Sequence, residues 1–243
     1  MAEFKSYRSY RDFAFSVTNQ SRYSRSPDRL AFLQAVLGTS KRERIPAGSK
    51  LWRAALGNVW IETDVDGELE SVPVPFDLER MKPRTHQAAE GRANPLGIPF
   101  LYAATHLETA IAEVRPWIGS YVSVAQFPLR RDVYVVDCVT GDRRIMAYAG
   151  EPEPLERQRQ VWQDIDQAFS QPVTRGDDVA SYAPTQVIAE FLRENGLDGV
   201  AYGSSLGPGH NLALFDLEVA DPVNRQLVVI KSAKLDFDFE PPQ

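Results

Sequence analysis

Apolar residues recur along this chain with two different periods, and the switches between them mark out its elements. Tyr7, Tyr10, Phe13, Ala14 and Val17 stand at roughly helical spacing, and Leu30, Leu33, Val36 and Leu37 do so again. Ser26-Pro27-Asp28 opens the second of these helices, serine suiting the cap and proline the first turn, and Gly38 is expected to close it. Residues 155–169 read as a third helix, with Val161, Trp162, Ile165 and Phe169 on one side. Pro184 opens another, whose Val187, Ile188, Phe191 and Leu192 face inward and which Gly196 closes. Shorter runs rich in β-branched and aromatic residues predict strands at 51–56, 121–127, 133–138, 200–202, 211–215 and 227–230, with short additions at 59–61 and 72–76. The runs 121–127 and 133–138, separated by Pro128-Leu129-Arg130-Arg131-Asp132, are expected to pair as a hairpin.

Between these elements the densest punctuation falls at residues 91–116, GRANPLGIPFLYAATHLETAIAEVRP. A basic loop with Arg92 and Asn94 is rich in the turn formers Pro95, Gly97 and Pro99. The run Phe100-Leu101-Tyr102-Ala103-Ala104 reads as a short buried strand, and residues 106–114 as a helix stopped by Pro116. Thr105 with Glu108 three positions on has the form of a capping box. One arginine, one tyrosine and one glutamate thus come from a loop, a strand and a helix in quick succession, which is how polar groups are delivered to a site.

Strands outnumber helices and do not alternate with them regularly, so the fold class is α+β, with mixed, largely antiparallel sheets flanked by helices. Residues 1–48 form a helical extension, expected either to pack on the main body or to serve as a partner surface. The main domain covers 49–235, and an acidic tail, 236–243, ends Glu-Pro-Pro-Gln. Two long connections stand out. Residues 57–90 are turn-rich, with acidic Asp64, Asp66, Glu68 and Glu70; the other, 172–183, holds Arg175, Gly176, Asp177 and Asp178.

The 243 residues carry 27 basic and 33 acidic side chains, a net charge of −6, which argues against broad binding of nucleic acid. A single cysteine, Cys138, excludes an intramolecular disulfide, suits a reducing compartment and reads as structural. No signal-type apolar core or membrane-length apolar run occurs, so a cytoplasmic location without membrane partners is expected. The histidines at 86, 106 and 210 lack metal-ligand spacing, and no metal site is expected. Gly203-Ser204-Ser205-Leu206-Gly207-Pro208-Gly209 is followed by neither Lys-Ser/Thr nor a helix, and no G-x-S-x-G elbow appears, which weighs against P-loop and serine-hydrolase chemistry.

The candidate residues are Arg53, Arg92, Tyr102, Glu113 and Ser204. Arginine supplies a planar, permanently charged fork suited to phosphates. Arg53 lies inside an apolar strand, where a charge needs a partner unless strand alternation turns it outward. Glu113 borders the apolar face made by Ala110, Ile111 and Val114; the bland alternative is a surface carboxylate. Tyr102 fits a core position or a ring-stacking one, and Ser204 fits a turn.

Taken together, these residues resemble the RES domain, named for its arginine, glutamate and serine. The matching pieces are Leu51-Trp52-Arg53-Ala54; Gly91 through Gly97; Leu101-Tyr102; Glu108-Thr109-Ala110 with Ala112-Glu113-Val114; and Gly199-Val200-Ala201-Tyr202-Gly203-Ser204 with Asn211 and Phe215. Ala93 replaces an aromatic residue common in the family, and the segments 1–48 and 141–183 exceed compact members. The resemblance implies a fold similar to ADP-ribosyltransferase toxins and cleavage of the nicotinamide–ribose bond of NAD⁺, by water or phosphate. It also implies a toxin role with a helix-turn-helix (Xre-like) antitoxin as partner. NAD⁺ is then substrate, and no cofactor is expected. On this reading Glu113 steadies the ribosyl cation and Arg92 and Arg53 hold the pyrophosphate. Tyr102 stacks on nicotinamide, Ser204 fixes orientation, and Asn94 and Asn211 contribute to binding. Two rivals remain open: transfer of ADP-ribose to a macromolecule through the same site, and an interaction module without catalysis.

Overall fold

The computed structural model describes residues 3–24, 26–84, 88–141, 148–171 and 179–233. His86, the loop residues Arg175 to Asp178 and the acidic tail lie outside these described residues. Along the chain run helices α1 (Ser9–Asn19) and α2 (Pro27–Thr39), then strands β1 (Arg42–Ile45), β2 (Lys50–Leu56), β3 (Val59–Val65) and β4 (Glu68–Val74). A single turn, α3 (Leu78–Met81), precedes β5 (Leu101–Ala104), α4 (Leu107–Glu113), β6 (Tyr121–Pro128) and β7 (Val133–Asp137). Helices α5 (Pro154–Ser170) and α6 (Ala183–Glu194) lead to β8 (Gly199–Gly203), β9 (His210–Leu214) and β10 (Val223–Val229). No helix is long and apolar enough to cross a membrane among the described residues.

Eight strands share one sheet in the order β1-β7-β8-β9-β5-β2-β6-β10. Only β7 and β8 run parallel, joined through α5 and α6; the other neighbours are antiparallel. This is the mixed, mostly antiparallel sheet with flanking helices that the alternating periods predict. The expected hairpin of residues 121–127 with 133–138 does not form: β6 pairs with β2 and β10, and β7 with β1 and β8. In a flat sheet the five places between β7 and β6 would span roughly 24 Å, whereas their four-residue link reaches about 17 Å when extended. β1 and β2 are separated by the same five places and joined by an equally short link. The sheet must therefore curl, and it closes around Leu51, Phe127, Leu129, Val133, Val135, Leu212 and Leu214, all nearly solvent-free. Main-chain bonds between Leu129 and residues 48–49 zip the two links together.

The opposite face of β7, β8 and β9 carries Val136, Val200, Tyr202 and Ala213, and against it pack α5 and α6 with Val161, Ile165, Phe169, Ile188 and Leu192. The N-terminal segment joins this second core through Phe4 ahead of α1, Phe13 and Val17 on α1, and Phe32, Leu33 and Val36 on α2. Strands covered on both faces read as continuous apolar runs, which is why they are visible in the sequence. Helix α2 departs from expectation at two points. Leu30 is 37% exposed while Arg29 is buried, its guanidinium donating to Ser16 Oγ at 2.8 Å and to the carbonyls of Ser16, Ser21 and Ser24. Gly38 does not end the helix, because Thr39 is held in it by a bond to the Ala35 carbonyl (2.7 Å) and by Trp162 Nε1 (3.1 Å). The turn-rich connection after β2 holds the β3–β4 hairpin, turned by Asp66 (φ 56°) and Gly67 (φ 88°).

Candidate active site

The adjacent strands β8, β9, β5 and β2 set side by side most of the residues that the sequence singles out. Register places Tyr202 opposite Asn211, Asn211 opposite Ala104, and Trp52 opposite Ala104. Helix α4 leaves β5 after two residues and carries Glu113 as its last residue. A carboxylate there opposes the partial negative charge of the helix end, so donors must hold it. They are present: Glu113 Oε1 accepts from Asn211 Nδ2 at 2.6 Å and from Ser204 Oγ at 3.1 Å. Its other oxygen, Oε2, faces Arg92 Nη1 at 3.8 Å, an ion pair longer than a direct hydrogen bond.

Helix α4 does not start as the capping box predicts. His106 occupies the cap position with no side-chain cap bond, and the Thr105 hydroxyl meets the backbone of His210 instead. That hydroxyl clips the first residue of β9 to the start of α4, a tertiary bond that displaces the local one. Gly207 completes the junction, since a Cβ there would stand 2.9 Å from Thr109. The helix ends before Pro116 through Arg115 at φ 47°.

Arg53, Arg92, Tyr102, Glu113 and Asn211 line one cavity of about 330 Å³, together with Trp52, Tyr182 and Tyr202. That size is near the lower end of the roughly 300–1,000 Å³ typical of small-molecule sites. Ser204 reaches it through its bond to Glu113. Arg53 is half-buried and donates to the Tyr102 carbonyl at 2.8 Å; burial pulls its guanidinium below the usual arginine range. Asn94 stands apart from the others. It is 2% exposed, and its amide donates to the carbonyls of Ala89, Pro95 and Ile98 at 2.9–3.1 Å. Its Oδ1 accepts from the Tyr102 hydroxyl at 2.8 Å, so Asn94 shapes the loop that presents Arg92. Tyr102 thus anchors that loop by its hydroxyl, which also accepts from Ala93 N at 2.9 Å, while its ring lines the cavity. Gly91 must be small here, because a Cβ would lie 2.6 Å from the Tyr102 hydroxyl.

Tyr202, Tyr182 and Trp52 are wall residues that pattern reading does not single out. Tyr202 is 2% exposed, lines the cavity together with Arg92 and stacks on Phe169 at 5.7 Å between ring centroids. Its place in an apolar strand made it indistinguishable from core. Burial pushes its phenol up to about 12, with Arg92 opposing the shift, and burial also raises Tyr10 and Tyr102. A phenol raised on folding favours the native state below its unfolded value and stops doing so as pH climbs through its native value. Stability is therefore expected to fall between about pH 10 and 12, and the share of phenolate absorbance that comes from these buried tyrosines should rise together with loss of far-UV dichroism. Full tyrosine ionisation near pH 10 in a still-folded protein would contradict this.

The family model of the RES domain matches residues 50–240. The chain belongs to the RES domain family. Among solved structures it is similar to a chain in the crystal structure of the M. tuberculosis MbcT–MbcA toxin–antitoxin complex. That likeness has 14% identity and a TM-score of 0.44, covering 81% of this chain and 91% of that one. No curated protein matches. The matched span includes every wall residue of the RES domain cavity named above.

Proposed function

We propose that this RES domain protein cleaves the nicotinamide–ribose bond of NAD⁺. The observation that carries the reading is the Glu113 carboxylate, held at one oxygen by Asn211 and Ser204 while the other faces Arg92 across a cleft walled by Trp52, Tyr102 and Tyr202. Nicotinamide is already cationic in NAD⁺ and departs neutral, so the leaving group needs no acid. The transition state places positive charge on the ribose, as in other glycosidic cleavages. A fixed carboxylate beside it, by charge or through a ribose hydroxyl, lowers that barrier. Arg92 and Arg53 supply cations for the pyrophosphate, and the cavity volume suits the nicotinamide-ribose end, with the adenosine extending outward.

The family resemblance also supports a toxin role, with a helix-turn-helix antitoxin as partner and inhibitor. Incubation of purified protein with NAD⁺ labelled in the adenosine half tests the reaction. Release of free nicotinamide with label in ADP-ribose, or in its 1-phosphate when inorganic phosphate is the acceptor, is expected. Label retained on protein or nucleic acid would instead indicate transfer, and intact NAD⁺ would overturn the reading.

A further inference from the structure

Glu90, just before the arginine loop, is a carboxylate only 19% exposed and two residues from Arg92. A charge so placed attracts the nearest guanidinium, and Arg92 must instead face Glu113. The structure supplies another cation from an unexpected place. Arg22, in the link between α1 and α2 and outside the matched RES span, pairs with Glu90 at 3.5 Å and donates to Gln186 Oε1. Gln186, 1% exposed on α6, turns its amide the other way and donates to Glu90 Oε1 (2.9 Å), Gly91 O (2.9 Å) and Asn94 O (3.0 Å). The neighbouring Thr185 hydroxyl donates to the Arg92 carbonyl at 2.5 Å. Arg29 fixes the Arg22 link in turn, through the carbonyls of Ser21 and Ser24.

We infer that the N-terminal extension is part of the working site, with Arg22 as a positioning residue. It neutralises Glu90 and orients Gln186, which holds both ends of the Gly91–Asn94 turn, so that Arg92 stays free for the cleft. The catalytic consequence rests on the proposed NAD⁺ cleavage; the positioning itself does not.

Four proteins separate these: wild type, Arg22→Ala, Arg22→Lys and Arg22→Ala/Glu90→Gln. Hydrogen exchange of the peptide covering residues 88–98 is followed by mass spectrometry, beside kcat and KM for NAD⁺. Arg22→Ala should exchange that peptide roughly tenfold faster and raise KM about tenfold, the scale of one charged hydrogen bond, with kcat changed less. Arg22→Lys should restore part of both. Glutamine at position 90 keeps an acceptor for Gln186 and strands no charge, so the double variant should recover KM although the Arg22 side chain is still missing, which a purely structural contact would not do. Wild-type exchange in Arg22→Ala, or a KM in the double variant no better than in the single, overturns the inference. Altered exchange in proteins that all leave NAD⁺ intact upholds the positioning and sinks the cleavage reading instead.

Discussion

Glu113→Gln is expected to lower kcat for NAD⁺ cleavage by two to three orders of magnitude while leaving KM within about threefold. The substitution keeps the shape of the side chain and an oxygen for Asn211 and Ser204, and removes only the charge. The uncharged amide cannot offset positive charge building on the ribose, and one preorganised group of this kind contributes on the order of 3–4 kcal/mol. Binding depends instead on the guanidinium groups and the aromatic wall, which the change does not touch. Stability should shift by less than about 1 kcal/mol. The Arg92 pair is long and partly exposed, and removing an anion from the end of α4 offsets part of its loss. Nicotinamide release and chemical denaturation on the same preparation check both statements. Near wild-type turnover in the variant would remove Glu113 from its assigned role.

That experiment turns on residues legible in the sequence for a definite reason. Arg92, Tyr102 and Glu113 lie on three consecutive short elements, so their convergence needs only a loop, a strand and a helix in order. Ser204 and Asn211 flank the next strand junction, and the Tyr202–Asn211 pairing brings them back to the same cleft. Arg22 and Gln186 left no such trace. A glutamine on an apolar helix face and an arginine in a serine-rich link have no period, and only tertiary hydrogen bonds give them meaning. Asn94 looks like a ligand-facing loop residue and proves to be the loop's internal knot, because composition does not say which way an amide points.

The same division holds for the fold. Strands buried on both faces announce themselves, whereas β1, Arg-Glu-Arg-Ile at an open edge, has no apolar alternation to read. The β3–β4 hairpin carries a usable signal in Asp66-Gly67, masked by the surrounding acidic and proline residues. Pairing partners were beyond reach for β6 and β7, since a short link suggests a hairpin and only the curled sheet permits otherwise.

Phe169→Ala is expected to destabilise the protein by about 3–5 kcal/mol, the usual cost of emptying a buried aromatic position. Phe169 has no solvent exposure, sits where α5 meets β8, and supports the ring of Tyr202 at an interplanar angle of 26°. Against a typical total of roughly 5–15 kcal/mol this is about a fifth or more of the margin, and urea denaturation should show a lower midpoint with an unchanged slope. Phe169→Leu should cost less than the alanine change, because most of the volume is retained. The milder variant also links packing to chemistry. Tyr202 shares the cavity wall with Arg92, so a looser ring behind it leaves the guanidinium less confined in the cleft. Its KM for NAD⁺ should therefore rise more than its kcat falls, opposite to Glu113→Gln. A leucine variant with reduced stability but wild-type KM would mean that Arg92 is held by its loop alone and that Tyr202 is only core.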